Sequence, residues 1–447
     1  LTYVKQPFTP ADQHQMSSRW ACGRLWLLLL VGLAGWVSYG YLFLPVSLAD
    51  SPLVSSGYLA YIGGDGNVYV TTPELTSKIA VTDDATAAAE YPGYSYHRLS
   101  WSPDGRLAFA GVTRQDSQTR GRLFVADQPG GPIRQIGQSD DHFVIYIYWA
   151  PSTCPNRPDC QQLAYLIEEA ESISLRLVEL EAETIKNRLI GAGRPFYFSW
   201  SPDGRQMLWH TGGAYRYNQA ARLTLYDLLE QQPQELAQRP GLFLAPAWSP
   251  QGDEWLAVSA QEDQDQLHYF GDQRAVSVAK APAGQMVFAW SPQGDQVAYA
   301  VRQNPNDPFY GPVYLFDRQS GQTQRLTAGG FAIEAFFWSP DGQRLAYLTH
   351  QPLFDATWMQ WRVYDLAKKK DRGFKMFHPS FQMQFIIASF NQYAQSDRFW
   401  SPDSRYLVYA DSDKQLVERV WLVDTWDQNG HNTTLVDTGA IGLWSFH

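Results

Sequence analysis

The sequence predicts an all-β fold: an eight-bladed β-propeller, closed by its own N- and C-terminal strands and preceded by one transmembrane α-helix. Three observations predict it. A five-residue phrase recurs along the chain, the tryptophan that opens each copy returns at a near-constant step, and one long stretch near the N-terminus carries no charge.

The phrase reads WSPDG at 101–105, 200–204 and 338–342, WSPQG at 248–252 and 290–294, WSPDS at 400–404 and WAPST at 149–153. Ser-Pro-Asp-Gly is turn chemistry. The Ser hydroxyl can bond nearby backbone, Pro fixes φ, and Gly accepts the positive φ that closes a hairpin. Each copy ends a short apolar run such as FYFSW (196–200) or MVFAW (286–290) and precedes another such as RLAFAG (106–111) or YLVYAD (406–411). The phrase is therefore read as a hairpin turn with a Trp at the end of the incoming strand. Further strand-like runs follow with similar regularity, among them RLFVAD (122–127), LTLYDL (223–228) and RVWLVD (419–424).

The tryptophans set the unit. Trp101, Trp149, Trp200, Trp248, Trp290, Trp338, Trp400 and Trp444 are separated by 42 to 62 residues, the length of a four-stranded blade. The chain enters this pattern at GYLAYIGGDGNVYVTT (57–72), which lacks a preceding Trp strand, and leaves it at IGLWSFH (441–447), a Trp strand with nothing after it. Two partial units make one blade if the ends meet, which removes the edges that an open array would expose. Seven internal units and this composite give the expected eight.

Trp-Ser-Pro-Asp-Gly followed by Leu-Ala-Phe or Leu-Ala-Tyr resembles the TolB-type WD-like propeller repeat, over about residues 58–447. The resemblance implies the propeller fold and, with the N-terminal stretch, a membrane-anchored member. It implies little about function, because that fold hosts scaffolds, binding proteins and accessory domains of peptidases. The separate α/β domain that precedes the propeller in TolB has no counterpart in the sequence.

The uncharged stretch is LWLLLLVGLAGWVSYGYLFL (25–44), twenty residues, enough to cross about 30 Å of hydrocarbon. Lys5, Arg19 and Arg24 precede it and no Lys or Arg follows until Lys78, so the positive-inside rule puts the tail in the cytoplasm. A cleaved signal peptide with SLA (47–49) as its site is the competing reading; the length of the apolar run favours the anchor. The expected organisation is a cytoplasmic tail (1–24), a transmembrane helix in contact with the lipid bilayer (25–44), a linker (45–57) and the propeller (58–447). This places the protein in a bacterial cytoplasmic membrane with its propeller periplasmic or extracellular.

Cys154 and Cys160 sit in APSTCPNRPDCQQLAYL, where an enlarged loop replaces the usual turn. A disulfide would staple that loop; half of a metal site would need a second Cys or His pair nearby, and none is there. Cys22, beside the apolar stretch, is read as a free thiol. The net charge is −10, and the chain beyond residue 49 carries −12 after the three basic residues and Asp12 of the first part are set aside. An acidic propeller repels phosphate backbones, which disfavours nucleic acid as a partner.

Catalytic signatures are scarce. The sequence has no Gly-x-Ser-x-Gly elbow, no His-Glu-x-x-His, no phosphate-cradling Gly loop and no Cys-x-x-Cys-His. No catalytic, cofactor-binding or metal-ligating residue is assigned. Asp104, Asp203, Asp341 and Asp403 recur, but at one turn position each, where the side chain serves local backbone. The eight repeat tryptophans are read as core packing between blades rather than as a sugar-stacking set.

The departures from regularity carry more. The 62-residue step holds about 15 residues beyond the usual unit, in a stretch (368–397) with Phe374, Met376, Phe377, Phe381, Met383, Phe385, Ile386, Ile387 and Phe390. It either packs on its own blade as an extra strand or helix or offers an apolar surface to a partner. A second insertion (83–97) adds Tyr91, Tyr94 and Tyr96. The expected function is a membrane-anchored, non-catalytic interaction or assembly subunit, with other proteins of a membrane complex as partners. Two alternatives stay open: a propeller hydrolase or lyase working at the central channel mouth, and an extracytoplasmic ligand-binding receptor.

Overall fold

The computed structural model describes residues 57–447 except 87, 88, 90, 141, 170, 262, 263, 272, 273, 282–284, 305, 352–357, 394, 395 and 428–432. Among them the chain forms seven antiparallel sheets, a seven-bladed β-propeller. Six are four-stranded and follow chain order: blade I (95–140), blade II (144–193), blade III (196–235), blade IV (247–281), blade V (286–325) and blade VI (332–377). First strands neighbour first strands across blades, so they line the centre and later strands lie progressively outward.

Blade VII corrects the expected count of eight. It is one six-stranded sheet built from Tyr406–Ser412, Glu418–Asp424, Thr433–Trp444, Leu59–Gly63, Val68–Thr71 and Lys78–Ala80, in that order. The sequence shows eight repeats, but the last full repeat and the composite one share Thr433–Trp444. Its first half pairs with Glu418–Asp424 and its second half with Leu59–Gly63, with Leu59 opposite Trp444. No turn separates the two units, so they are one blade. A repeat count equals a blade count only where each junction leaves the sheet.

The predicted transmembrane helix has no counterpart among the described residues. No helix among the described residues is long and apolar enough to cross a membrane. The expected tail, apolar stretch, most of the linker and Cys22 lie outside the described residues, and the expected membrane placement finds no support among the described ones.

The repeated phrase forms as its chemistry requires. In WSPDG (101–105), the Ser102 hydroxyl donates to Asp104 Oδ1 at 2.5 Å and accepts from Arg106 N–H at 2.7 Å, and Gly105 sits at φ +90°. Ser201–Asp203, Ser339–Asp341 and Ser401–Asp403 repeat the contact at 2.5 Å. Where Gln replaces Asp, the carboxylate two residues further on takes over: Ser249 to Asp253 at 2.8 Å and Ser291 to Asp295 at 2.7 Å. The freed Gln251 side chain then donates to the Gln293 carbonyl, and Gln293 to that of Asp341 at 2.9 Å. These turns thus tie blade IV to V and V to VI.

The tryptophans do more than fill space. Trp101, Trp149, Trp200, Trp290 and Trp400 each donate the indole N–H to the carbonyl of the residue just before the preceding repeat's Trp. Those acceptors are Leu443 (3.1 Å), Ser100 (3.0 Å), Tyr148 (3.1 Å), Ala247 (3.1 Å) and Phe337 (3.1 Å). One residue type at one strand position therefore packs between inner strands and pins each to its neighbour. The bond from Trp101 to Leu443 carries the series across the junction of the propeller's first and last strands. Cys154 and Cys160 are disulfide-bonded, with Cα atoms 5.2 Å apart, in the turn between the first two strands of blade II.

Candidate functional site

Antiparallel order puts the WSPDG turns on one face of the ring. The hairpins between second and third strands, and the crossings from blade to blade, lie on the other. The two insertions belong to that second face, and they meet there.

The apolar insertion after blade VI forms α1 (Phe381–Ala388) and a short α2 (Phe390–Tyr393). Ser380 caps α1: its hydroxyl accepts from Met383 N–H at 3.2 Å and donates to the Ala440 carbonyl at 2.5 Å. Met383, Ile386, Ile387 and Phe390 turn inward and are buried, with Phe390 edge-on to Phe336 and Phe337 of blade VI. Gln382 Nε2 reaches the Tyr96 carbonyl of blade I at 3.5 Å, and the Phe385 ring lies 5.2 Å from the Arg98 guanidinium. Asn391 O accepts from Ala245 N–H, at the entry to blade IV, at 3.4 Å. The insertion is thus a strut touching blades I, IV, VI and VII across the middle of this face.

Phe374 and Phe377, expected as partner contacts, are buried in the last strand of blade VI, and Met376 is half-buried there. Of the residues the sequence singled out in this stretch, Phe381 and Phe385 remain on the surface, 77% and 53% exposed. The second insertion divides the same way. Tyr91 is 59% exposed, whereas Tyr94 packs edge-on to Phe124 and stacks near Tyr96. The Tyr96 hydroxyl donates to Asp84 at 2.7 Å, and burial followed by that bond pushes its pKa up.

Both insertions border one cleft of about 540 Å³. Its walls include Gly64, Tyr94, Tyr96, Gln382, Leu416 and Glu418. Leu416, at the tip of the first hairpin of blade VII, is 81% exposed. Glu418 Oε1 accepts from Phe381 N–H at 2.9 Å, which joins that hairpin to the start of α1. Burial raises the Glu418 pKa, opposed by this bond. Apolar side chains therefore rim a cleft whose carboxylates are Asp65 and Glu418, on a base fixed from several sheets.

A feature the sequence reading missed lies at the centre of the ring. The segment SDRFW (396–400) leads to Trp400 as FYFSW and MVFAW lead to theirs. Two residues before the Trp, the other repeats carry Leu99, Ile147, Phe198, Pro246, Phe288, Phe336 and Gly442; this one carries Arg398. Aligning the inner strands residue by residue would have exposed the exception. Burial pushes the Asp397 carboxyl up to about 7, with Arg98 drawing it back. Burial also brings the Arg398 guanidinium down to about 10, against the pull of Tyr148. Among the described residues no group of three His, Cys, Asp or Glu side chains is placed to hold a metal ion.

The comparisons with known proteins agree on architecture. A family model for the dipeptidyl peptidase IV (DPP IV) N-terminal region matches residues 303–436, under a third of the chain. No curated protein matches the sequence. Among solved structures, a prolyl endopeptidase aligns with a TM-score of 0.51 at 11% identity, over 76% of this chain and 49% of its own. TolB from Acinetobacter baumannii aligns at 0.40 and 14% identity, over 76% of this chain and 82% of that one. Oligogalacturonate lyase from Vibrio parahaemolyticus aligns at 0.47 and 11%, over 76% and 86%. At such identities the likeness is one of fold.

Proposed function

We propose that this propeller is a protein-interaction module that docks an extended segment of a partner protein in the cleft beside α1. The observation that supports this most directly is the exposure of Phe381, Phe385 and Leu416 beside a helix hydrogen-bonded to blade VII. Solvent-facing apolar groups forgo about 25 cal/mol per Å² that burial would return. Phe381 and Phe385 are not on a frayed end: α1, which carries them, is capped, hydrogen-bonded to blade VII and seated on three buried side chains. Little conformational entropy is then lost when a partner binds, which is what pre-organisation contributes to affinity.

Charge narrows the partner. The propeller (58–447) carries −11, because Asp50 lies in the linker, and the cleft adds Asp65 and Glu418 to its wall. The complementary segment has an apolar side chain to set against Phe381 and Leu416, and a Lys or Arg beside it to face the carboxylates.

Selecting peptides on the intact protein from a random display library tests this. The expected winners share an apolar residue next to a basic one. Phe381→Ser or Leu416→Ser should weaken them at least tenfold, about 1.4 kcal/mol. Leu189→Ser, at an exposed apolar site on the outer strand of blade II, should leave them unchanged. Winners that bind the two cleft variants as well as the parent would refute the docking site.

A further inference from the structure

One wall of the cleft holds an acceptor that the fold leaves unused. The side-chain oxygen of Gln382, the second residue of α1, is buried and has no hydrogen-bond partner among the described residues. Its amide is fixed in orientation. Nε2 faces the Tyr96 carbonyl at 3.5 Å, and exchanging the two amide atoms would set oxygen against oxygen. Gln382 lines the cleft, so the unused acceptor belongs to its wall.

Glu418 is tied to the same turn of the helix. Its Oε1 accepts from Phe381 N–H at 2.9 Å, and Phe381 immediately precedes Gln382. Glu418 is half-buried, yet no basic side chain pairs with it among the described residues, and only burial and the Phe381 bond act on its ionisation. Half-buried carboxylates elsewhere are matched: Asp371 by Arg362 at 2.6 Å, Asp424 by Arg405 at 2.7 Å and Asp437 by Lys78 at 2.5 Å. Gln382 and Glu418 line one cleft of about 540 Å³, whose walls include no Lys, Arg or His among the described residues. Asp65 lines it as well, but its two oxygens already accept from Asn67 and Tyr69, so it adds charge rather than a free bond.

A buried acceptor without a donor is costly, and so is a partly buried carboxylate without a counter-charge. A cation that carries several N–H groups relieves both. Lysine and arginine qualify, and the geometry separates them. The guanidinium fork is met best by both oxygens of one carboxylate. Glu418 has one oxygen committed to the helix. An ammonium spreads three donors from a single nitrogen, so it can take the remaining Glu418 oxygen and the Gln382 oxygen together. We propose that the cleft selects a lysine of the docked segment over an arginine, its ammonium shared between Glu418 and Gln382. This rests on the partner-docking reading above and gives it two polar, specificity-determining residues.

The test uses the full chain and a peptide selected on it, synthesised with lysine, arginine or norleucine at the basic position and titrated by calorimetry at fixed ionic strength. The lysine form should bind at least tenfold tighter than either of the others. Glu418→Gln keeps an acceptor for Phe381 N–H but no charge, and should remove most of the advantage of lysine over norleucine. Gln382→Met should narrow the gap between lysine and arginine severalfold. Leu189→Ser should alter neither ratio. n-Butylamine and n-butylguanidine, followed by melting temperature, probe the site without a peptide; the amine should give the larger saturable rise, and Glu418→Gln should abolish it. If no peptide is selected but the amine acts in this way, partner docking fails and the ammonium site stands. If peptides bind with equal affinity for lysine and arginine forms, or the lysine preference survives both substitutions, the ammonium site is overturned and docking stands. If neither peptide nor amine binds, both fall. Should Glu418→Gln not fold, an undiminished lysine preference in Gln382→Met overturns the proposal.

Discussion

Replacing Trp149 with Phe probes the tie between neighbouring repeats. Trp149 is 2% exposed and its indole N–H bonds the Ser100 carbonyl at 3.0 Å. Phe keeps most of the packing but leaves a void and an orphaned carbonyl. The void costs on the order of 1–2 kcal/mol in a rigid core. A buried acceptor without its donor adds about 1–3 kcal/mol. Trp444 provides the internal control. It occupies the same repeat position and is 0% exposed, but its indole N–H has no acceptor among the described residues. Trp444→Phe therefore opens a similar void while removing a buried donor that nothing satisfies. Trp149→Phe should be the more damaging of the two by about 2 kcal/mol. Urea denaturation followed by far-ultraviolet circular dichroism reads this directly, provided the slopes with denaturant agree. Equal losses, or a larger loss at Trp444, would show that the indole bond contributes nothing between blades and that the recurring strand position is packing alone.

Two further outcomes follow from particular contacts. Asp397 has its carboxyl raised from 3.8 to about 7 by burial, with Arg98 the opposing charge. The folded state then holds a proton that the unfolded state has released between those values, so stability falls as pH rises from about 4 to about 7. Asp397→Asn should match the parent at pH 4 and exceed it at pH 7.5, by at most about 4 kcal/mol; no gain at the higher pH would contradict a buried carboxylate. Gly439 lies where Thr433–Trp444 changes partners, and a Cβ there would sit 2.4 Å from the Ile62 carbonyl oxygen. Gly439→Ala should cost roughly 1–3 kcal/mol or more in denaturation experiments. Gly105→Ala, in an open turn at φ +90°, should cost about 1 kcal/mol, and the reverse ranking would refute the close approach.

The fold was legible because its signals are local. Ser102, Asp104 and Gly105 make their turn from contacts within five residues, so the phrase could be read without knowing its surroundings. The miscount of blades came from a property no window of residues reveals, that Thr433–Trp444 keeps hydrogen-bonding on both flanks as it passes from one repeat to the next. The insertion after blade VI was legible as apolar but not as a strut. Whether Met383 or Phe381 faces inward depends on where Ala440 and Tyr96 lie, and those are remote in sequence. Tyr94 and Gln382 are nearly three hundred residues apart, and only the closed ring brings them to one cleft. Arg398 breaks the uncharged pattern two residues before each repeat tryptophan, an exception that only a residue-by-residue alignment of the repeats exposes.

The long strand Thr433–Trp444 has a bearing on how such a ring can come apart. Elsewhere one sheet hands over to the next through loops, and a nick there would leave the sheets on either side whole. A cut within this strand would strip an edge from the last full repeat and, at the same stroke, detach Leu59–Gly63 from its partner. The place where the propeller's first and last strands are gathered is thus not a clasp that can be undone by itself. It behaves as a keystone, whose removal takes both flanking arches with it.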